Sequence, residues 1–230
     1  MTDLFEKNKV IVALDGMKFV QVSALVDELK DYVWGFKFND LLFHPAINIL
    51  LQREDVRYFV DAKLHDIPNT VKNQVKRIVG EYNPSLLTVH ASGGPKMLEA
   101  AVKAVEEEKG RTRILAVTVL TSINDDTSQQ IYGATASEKV AEFAKISAEA
   151  GVYGCVCSPH EIGLVRELNL QPVVPGIRPV WFSQTDDQSR VATPEMAIRE
   201  GAAAIVVGRA ITKSENMIEA AQKTSAETII

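Results

Sequence analysis

The sequence predicts an α/β fold, a single-domain (β/α)8 TIM barrel, on three observations. Eight short apolar, β-branched runs alternate with stretches of helical period, the pattern of βαβ units feeding a parallel sheet. The runs recur roughly every 25 to 30 residues through a chain of 230, near the usual length of the closed eight-stranded barrel. Charged residues gather where the runs end, which is where such barrels carry their active sites and where a charge avoids burial without water.

The first run, residues 10–15, ends in Asp15. No Gly-x-Gly-x-x-Gly follows it, so a dinucleotide-binding domain loses its main support. A helical stretch at 20–30 leads to the second run, 35–39, which carries Lys37. The third, 58–64, carries Asp61 and Lys63 and precedes a helix at 69–79. The fourth, 86–91, precedes a helix at 95–108. The fifth, 114–120, opens into a long non-periodic stretch, 121–135, before a helix at 137–150 with Val140, Phe143, Ala144 and Ile146 at helical spacing. The sixth is 154–158, and the seventh, 172–177, runs into Arg178 and a second non-periodic stretch, 178–192. The eighth, 203–208, ends at Gly208-Arg209. Both long stretches directly follow strands and so belong over the barrel mouth. No break in composition marks a linker, and residues 1–230 read as one catalytic domain.

Composition excludes several functions. Lysine and arginine number 25 against 30 aspartates and glutamates, a net charge of −5 without a long basic run, so nucleic acid would find no electrostatic footprint. No segment approaches the ~18 consecutive apolar residues of a membrane span, and the start has neither a basic region nor an apolar core. A cytoplasmic protein without membrane partners is expected. The only cysteines, Cys155 and Cys157, sit two apart in an apolar run and read as buried, reduced thiols. His44, His65, His90 and His160 lack ligand spacing and are read as structural groups. Trp34, Trp181 and Phe182 read as packing residues, the last two placed to exclude water within the long loop.

The densest chemistry is Asp-Ala-Lys-Leu-His-Asp-Ile-Pro-Asn-Thr at 61–70. Strand alternation puts Asp61 and Lys63 on one face, with Ala62 and Leu64 toward the outer helices. Asp66 follows in the turn, and Asn69 or Thr70 is the expected helix cap. A Schiff-base lysine must lose its proton in an apolar or cationic setting, whereas the carboxylates here favour the ammonium. Lys63 is therefore expected to be a resident cation and proton donor. The same ammonium argues against a divalent metal among these carboxylates. Gly208-Arg209 and Thr212 after the last strand suit a phosphate, with the 178–190 loop folding over it and bringing Gln184 or Gln188.

These strings together resemble the orotidine 5′-phosphate decarboxylase family over almost the whole length. The 61–70 motif matches that family's signature at every polar position, joined in order by Val12-Ala13-Leu14-Asp15, Lys37, Leu120-Thr121-Ser122, Pro175-Gly176-Ile177-Arg178-Pro179, Asp187-Gln188-x-Arg190 and Val207-Gly208-Arg209-x-Ile211-Thr212. The resemblance implies decarboxylation of orotidine 5′-monophosphate, the last step of pyrimidine nucleotide synthesis, by a homodimeric barrel without cofactor or metal and with two sites at the subunit interface. It implies that Asp15 and Lys37 hold the ribose, that Asp61 faces the substrate carboxylate and that Lys63 delivers the proton. Asp66, Ile67 and Thr70 would enter the partner's site. Thr121 and Ser122 would meet the pyrimidine, and Arg178, Gln188, Gly208 and Arg209 the phosphate. Gln188 keeps the Asp-Gln context and is preferred to Gln184. The rival enzyme is a metal-dependent sugar-phosphate decarboxylase of a related barrel, which shares Asp-x-Lys-x-x-Asp; Ile67-Pro68-Asn69-Thr70 and the long segment after Pro175 favour the pyrimidine enzyme. A ligand-binding barrel that has lost its chemistry is disfavoured by the intact Asp61, Lys63 and Asp66.

Overall fold

Each of the eight apolar runs forms a strand in the computed structural model, which describes residues 4–182 and 192–230. The strands are β1 (Val10–Ala13), β2 (Gly35–Phe38), β3 (Tyr58–Leu64), β4 (Leu86–His90), β5 (Arg113–Val117), β6 (Gly154–Val156), β7 (Gln171–Val174) and β8 (Ala204–Val207). All neighbours pair in parallel, and β8 returns to β1 through Val10 opposite Ile205, closing the barrel. Several strands stop short of the apolar runs that announce them, because the chain leaves the ladder at its carboxyl end to present side chains at the rim. On β7 the change of direction is made by Gly176, whose φ of 77° suits a residue without Cβ.

The helices expected at 20–30, 69–79, 95–108 and 137–150 appear as Phe19–Leu29, Pro68–Tyr82, Pro95–Glu107 and Ala136–Glu149. The last begins with a capping box in which Thr135 and Glu138 satisfy each other's backbone N–H groups. Two local expectations need correction. The helix after β3 is capped at Ile67 without a side-chain bond, and Asn69 and Thr70 lie inside its first turn. Pro68 at the first helical position lacks an N–H that would otherwise be orphaned, so the start is favourable without a polar cap. The stretch 121–135 contains a helix, Asp125–Tyr132, started by Asn124, whose side chain accepts from Thr127 N, and ended by Gly133 at φ 73°. It buries only Ser128, so it has no apolar stripe to read. Its boundary residues were the available signal.

The core has two layers. Valine-rich outward faces of the strands pack against the helices. Inside the barrel, Ile11, Phe59, Leu86, Leu115 and Val173 form a second cluster, closed at the amino-terminal end by Phe5 and Trp34, whose rings lie 5.0 Å apart. Trp34 also donates from Nε1 to Leu4 O at 2.9 Å. This filled interior leaves the carboxyl rim as the open end.

Candidate active site

At that rim the strand ends surround a cavity of about 470 Å³, within the ~300–1,000 Å³ usual for small-molecule sites. Asp15 follows β1, Lys37 lies on β2, and Asp61 and Lys63 on β3; Thr121 follows β5, Arg178 follows β7, and Gly208, Arg209 and Thr212 follow β8. Phe59, Val117 and Val206 supply apolar wall from the barrel interior. The strand order therefore sorts the polar groups: two carboxylates and two ammonium groups on three consecutive strands, and the arginines after β7 and β8.

The four charges form one alternating chain. Lys37 Nζ lies 2.7 Å from Asp15 Oδ2 and 3.2 Å from Asp61 Oδ2, and Lys63 Nζ lies 2.6 Å from the same Asp61 oxygen. Lys37 and Asp61 are buried. Burial by itself would raise the Asp61 pKa; the Lys37 and Lys63 ammonium groups and hydrogen bonds from Lys63 and Thr88 outweigh it and hold the carboxyl below its ordinary value. Burial likewise opposes charge on Lys37, but Asp61 and Asp15 raise its pKa above the usual lysine value. Lys37 and Asp61 thus favour their ionised forms at neutral pH.

A stability effect follows from the depressed Asp61 value. A carboxylate with a lowered folded-state pKa contributes stability that is complete above the unfolded-state value, ~3.9, and is lost as pH falls through the lower folded value. Asp61→Asn should therefore lower Tm at neutral pH, with the gap to the parent closing in acid. Thermal melts across that range check this, and a gap independent of pH would contradict it.

The backbone at Lys63 is unusual. Its φ is 46°, in the left-handed region that a lysine enters at a cost of ~1–2 kcal/mol. The pairing with β4 slips here: Val60 lies opposite Leu87, but Leu64 lies opposite Val89. The Lys63 N–H donates to Thr88 Oγ1 at 2.9 Å, and Asn39 Nδ2 donates to Asp61 O at 2.8 Å. Neither Thr88 nor Asn39 was anticipated as part of the site. A polar residue within the apolar run of β4 was the signal for Thr88, and its position after β2 the signal for Asn39.

Of the anticipated site residues, Asp15, Lys37, Asp61, Lys63, Thr121, Arg178, Gly208 and Arg209 meet in the cavity. Asp66, Ile67, Thr70 and Ser122 do not line it. Asp66 and Ile67 are exposed on the turn after β3, where Asp66 Oδ1 accepts from Ile67 N at 2.7 Å, so the carboxylate flanking Lys63 within this chain is Asp61 alone of the two. Gln184 and Gln188 lie outside the described residues. The stem of their loop is defined: Ile177 bridges Ala192, and Arg178 N donates to Ala192 O at 2.9 Å. Phe182 lines the cavity beside Trp181, in edge-to-face contact at 6.2 Å between centroids. His65 and His90 pack ring to ring at 5.4 Å, and burial together with the neighbouring His65 and Lys63 lowers the His90 pKa. Cys155 and Cys157 are free and buried, and burial pushes the Cys155 thiol up to about 12. Among the described residues, no three of His, Cys, Asp and Glu converge as a metal site.

The chain is 39% identical to the orotidine 5′-phosphate decarboxylase of Moorella thermoacetica, over 99% of this chain and 94% of that protein. It is 38% identical to the enzyme of the same name from Paramagnetospirillum magneticum, over 96% of this chain and 98% of the other. The crystal structure of orotidine 5′-phosphate decarboxylase from Lactobacillus acidophilus superposes with a TM-score of 0.84 at 32% identity, covering 97% of this chain and all of that one. The sequence profile described as "Orotidine 5'-phosphate decarboxylase / HUMPS family" matches residues 8–224, and the chain belongs to that family.

Proposed function

We propose that this protein converts orotidine 5′-monophosphate to uridine 5′-monophosphate. The observation that carries the reading is the Asp15–Lys37–Asp61–Lys63 chain of charges at the rim, on a scaffold shared with relatives that bear the decarboxylase name. Loss of CO2 from C6 of the pyrimidine breaks the C6–carboxyl bond and leaves its electron pair on a carbon that the ring stabilises poorly. The Lys63 ammonium, held 2.6 Å from Asp61, stabilises that charge as it develops and then donates the proton that completes the product. Solvent returns a proton to the amine. Because the stabilising charge is fixed in the protein, the reaction needs no electron-sink cofactor. Asp61 beside the substrate carboxylate adds electrostatic pressure toward its departure.

The remaining roles are those the family resemblance implies. Asp15 and Lys37 meet the ribose, Thr121 and Ser122 the pyrimidine, and Arg178, Gly208 and Arg209 the phosphate, with Gln188 from the loop. Binding energy from the phosphate supports ordering of the charged groups around the reacting carbon. Residues 1–230 act as one catalytic domain.

The working unit in this reading is a homodimer that brings Asp66, Ile67 and Thr70 of each chain to the other's cavity. Its support is the surface beside β3. Ile67 is 67% exposed and Phe43 91% exposed, and Phe43 borders an apolar recess of about 260 Å³ formed with Leu42, Ala62, Leu64 and Tyr82. Apolar side chains so exposed next to a greasy recess mark an interaction face. Among the described residues no helix is long and apolar enough to cross a membrane, and the free thiols suit a reducing cytoplasmic compartment.

An ultraviolet assay of orotidine 5′-monophosphate in the presence of chelator tests substrate, reaction and metal independence in one trace. Steady conversion to the uridine nucleotide is expected. Absence of turnover would overturn the assignment, and magnesium-dependent decarboxylation of a keto-sugar phosphate in its place would favour the sugar-phosphate barrel.

A further inference from the structure

Thr88 stands in the middle of β4, fully buried, at the point where pairing with β3 slips. Its hydroxyl makes two hydrogen bonds, and both partners belong to the charged chain. Oγ1 accepts from the Lys63 backbone N–H at 2.9 Å and donates to Asp61 Oδ1 at 2.9 Å. The polarity is fixed, because the amide can only donate and an ionised carboxylate can only accept, so the single hydroxyl proton points at Asp61.

Each bond has a separate effect. Asp61 Oδ2 carries both ammonium groups, so without a partner for Oδ1 the carboxylate could swing about its Cβ–Cγ bond; the Thr88 hydroxyl fixes the plane. Lys63, meanwhile, sits at φ 46°, where its N–H has left the regular ladder. Thr88 gives that N–H a buried partner, which keeps the left-handed backbone from reverting to an ordinary strand and carrying the ammonium elsewhere.

We propose that Thr88 is a positioning residue for the decarboxylation: one hydroxyl sets both the direction of the Asp61 carboxylate and the backbone turn from which the Lys63 ammonium is aimed. The inference rests on the reading of Lys63 as the proton donor. Thr88 does not line the cavity, so its removal acts on the chemical step rather than on nucleotide binding. Misplacing a reacting group by about 1 Å costs on the order of 10²-fold in rate.

The test compares Thr88→Val, which keeps the shape and removes the hydroxyl, with Thr88→Ser, which keeps the hydroxyl and removes the methyl. With orotidine 5′-monophosphate, the valine variant should lose about 10- to 100-fold in kcat, while KM and the Kd for uridine 5′-monophosphate stay within about 3-fold. The serine variant should stay within about 3-fold of the parent in all three. The acid limb of kcat should move to higher pH in the valine variant, because Asp61 loses a donor to its ionised form. Equal kcat in the two variants, or a loss confined to KM or to Tm, would overturn the proposal. If the valine chain does not fold, Thr88→Ala against Thr88→Ser gives the same comparison. A parent without turnover would fail the decarboxylase reading instead. In that event thermal melts across acid pH decide the bridge without substrate: onset of acid destabilisation shifts upward in the variant lacking the hydroxyl, and an unchanged onset refutes the Asp61 contact.

Discussion

Lys63→Ala is expected to reduce kcat by at least ~10⁴-fold while uridine 5′-monophosphate still binds within ~10-fold of the parent affinity. The size follows from the two tasks assigned to one nitrogen. As a fixed charge it stabilises the forming carbanion, an effect that typically contributes 10²–10³-fold for a single preorganised donor, and as general acid it contributes roughly a further 10²–10⁴-fold. Neither task concerns the ribose or the phosphate, so affinity for the product nucleotide is largely spared. The mutation also leaves Asp61 with Lys37 and Thr88 as partners, at 3.2 and 2.9 Å, so the buried carboxylate is not stranded and the barrel should still fold. Single-turnover assays with calorimetry of product binding separate the two quantities. A rate near that of the parent would remove the lysine from the mechanism.

The second large effect concerns Asp66, which stands outside its own chain's cavity. Asp66→Asn should be strongly impaired in a homodimer although that cavity is untouched. Mixing it with inactive Lys63→Ala chains should restore activity. A hybrid dimer pairs the intact Lys63 of one chain with the intact Asp66 of the other in one of its two sites, and random exchange makes half the dimers hybrid. Recovery should therefore plateau at about a quarter of the parent's specific activity. Subunit exchange is verified independently with differently tagged chains, and sedimentation tests for the dimer. Verified exchange without recovery would place Asp66 outside the shared site.

The barrel could be read from the sequence because its strands are buried on both faces and so appear as largely apolar runs, five of which carry or run into a charge at the carboxyl end. Asp15, Lys37, Asp61 and Lys63 were readable for the same reason: a charge at the end of such a run has few places to go except the rim. The helix Asp125–Tyr132 was not, since a helix that buries only Ser128 shows no periodicity. The asymmetry between Asp61 and Asp66 was also hidden. Alternation along β3 fixes Asp61, whereas the direction of Asp66 depends on where the chain leaves the sheet, and Pro68 decides that by starting the helix at once. Least visible was the left-handed backbone at Lys63, because lysine has no preference for that conformation and the feature is imposed by Thr88 on another strand.

The bridge between Ile177 and Ala192 means that the chain departs from and rejoins the barrel at one spot. Doubling the length of such an excursion costs only about 0.6 kcal/mol in closure entropy. A change in the length of the segment between these two residues thus need not disturb the Asp15–Lys37–Asp61–Lys63 chain, which is anchored on the first three strands and their ends.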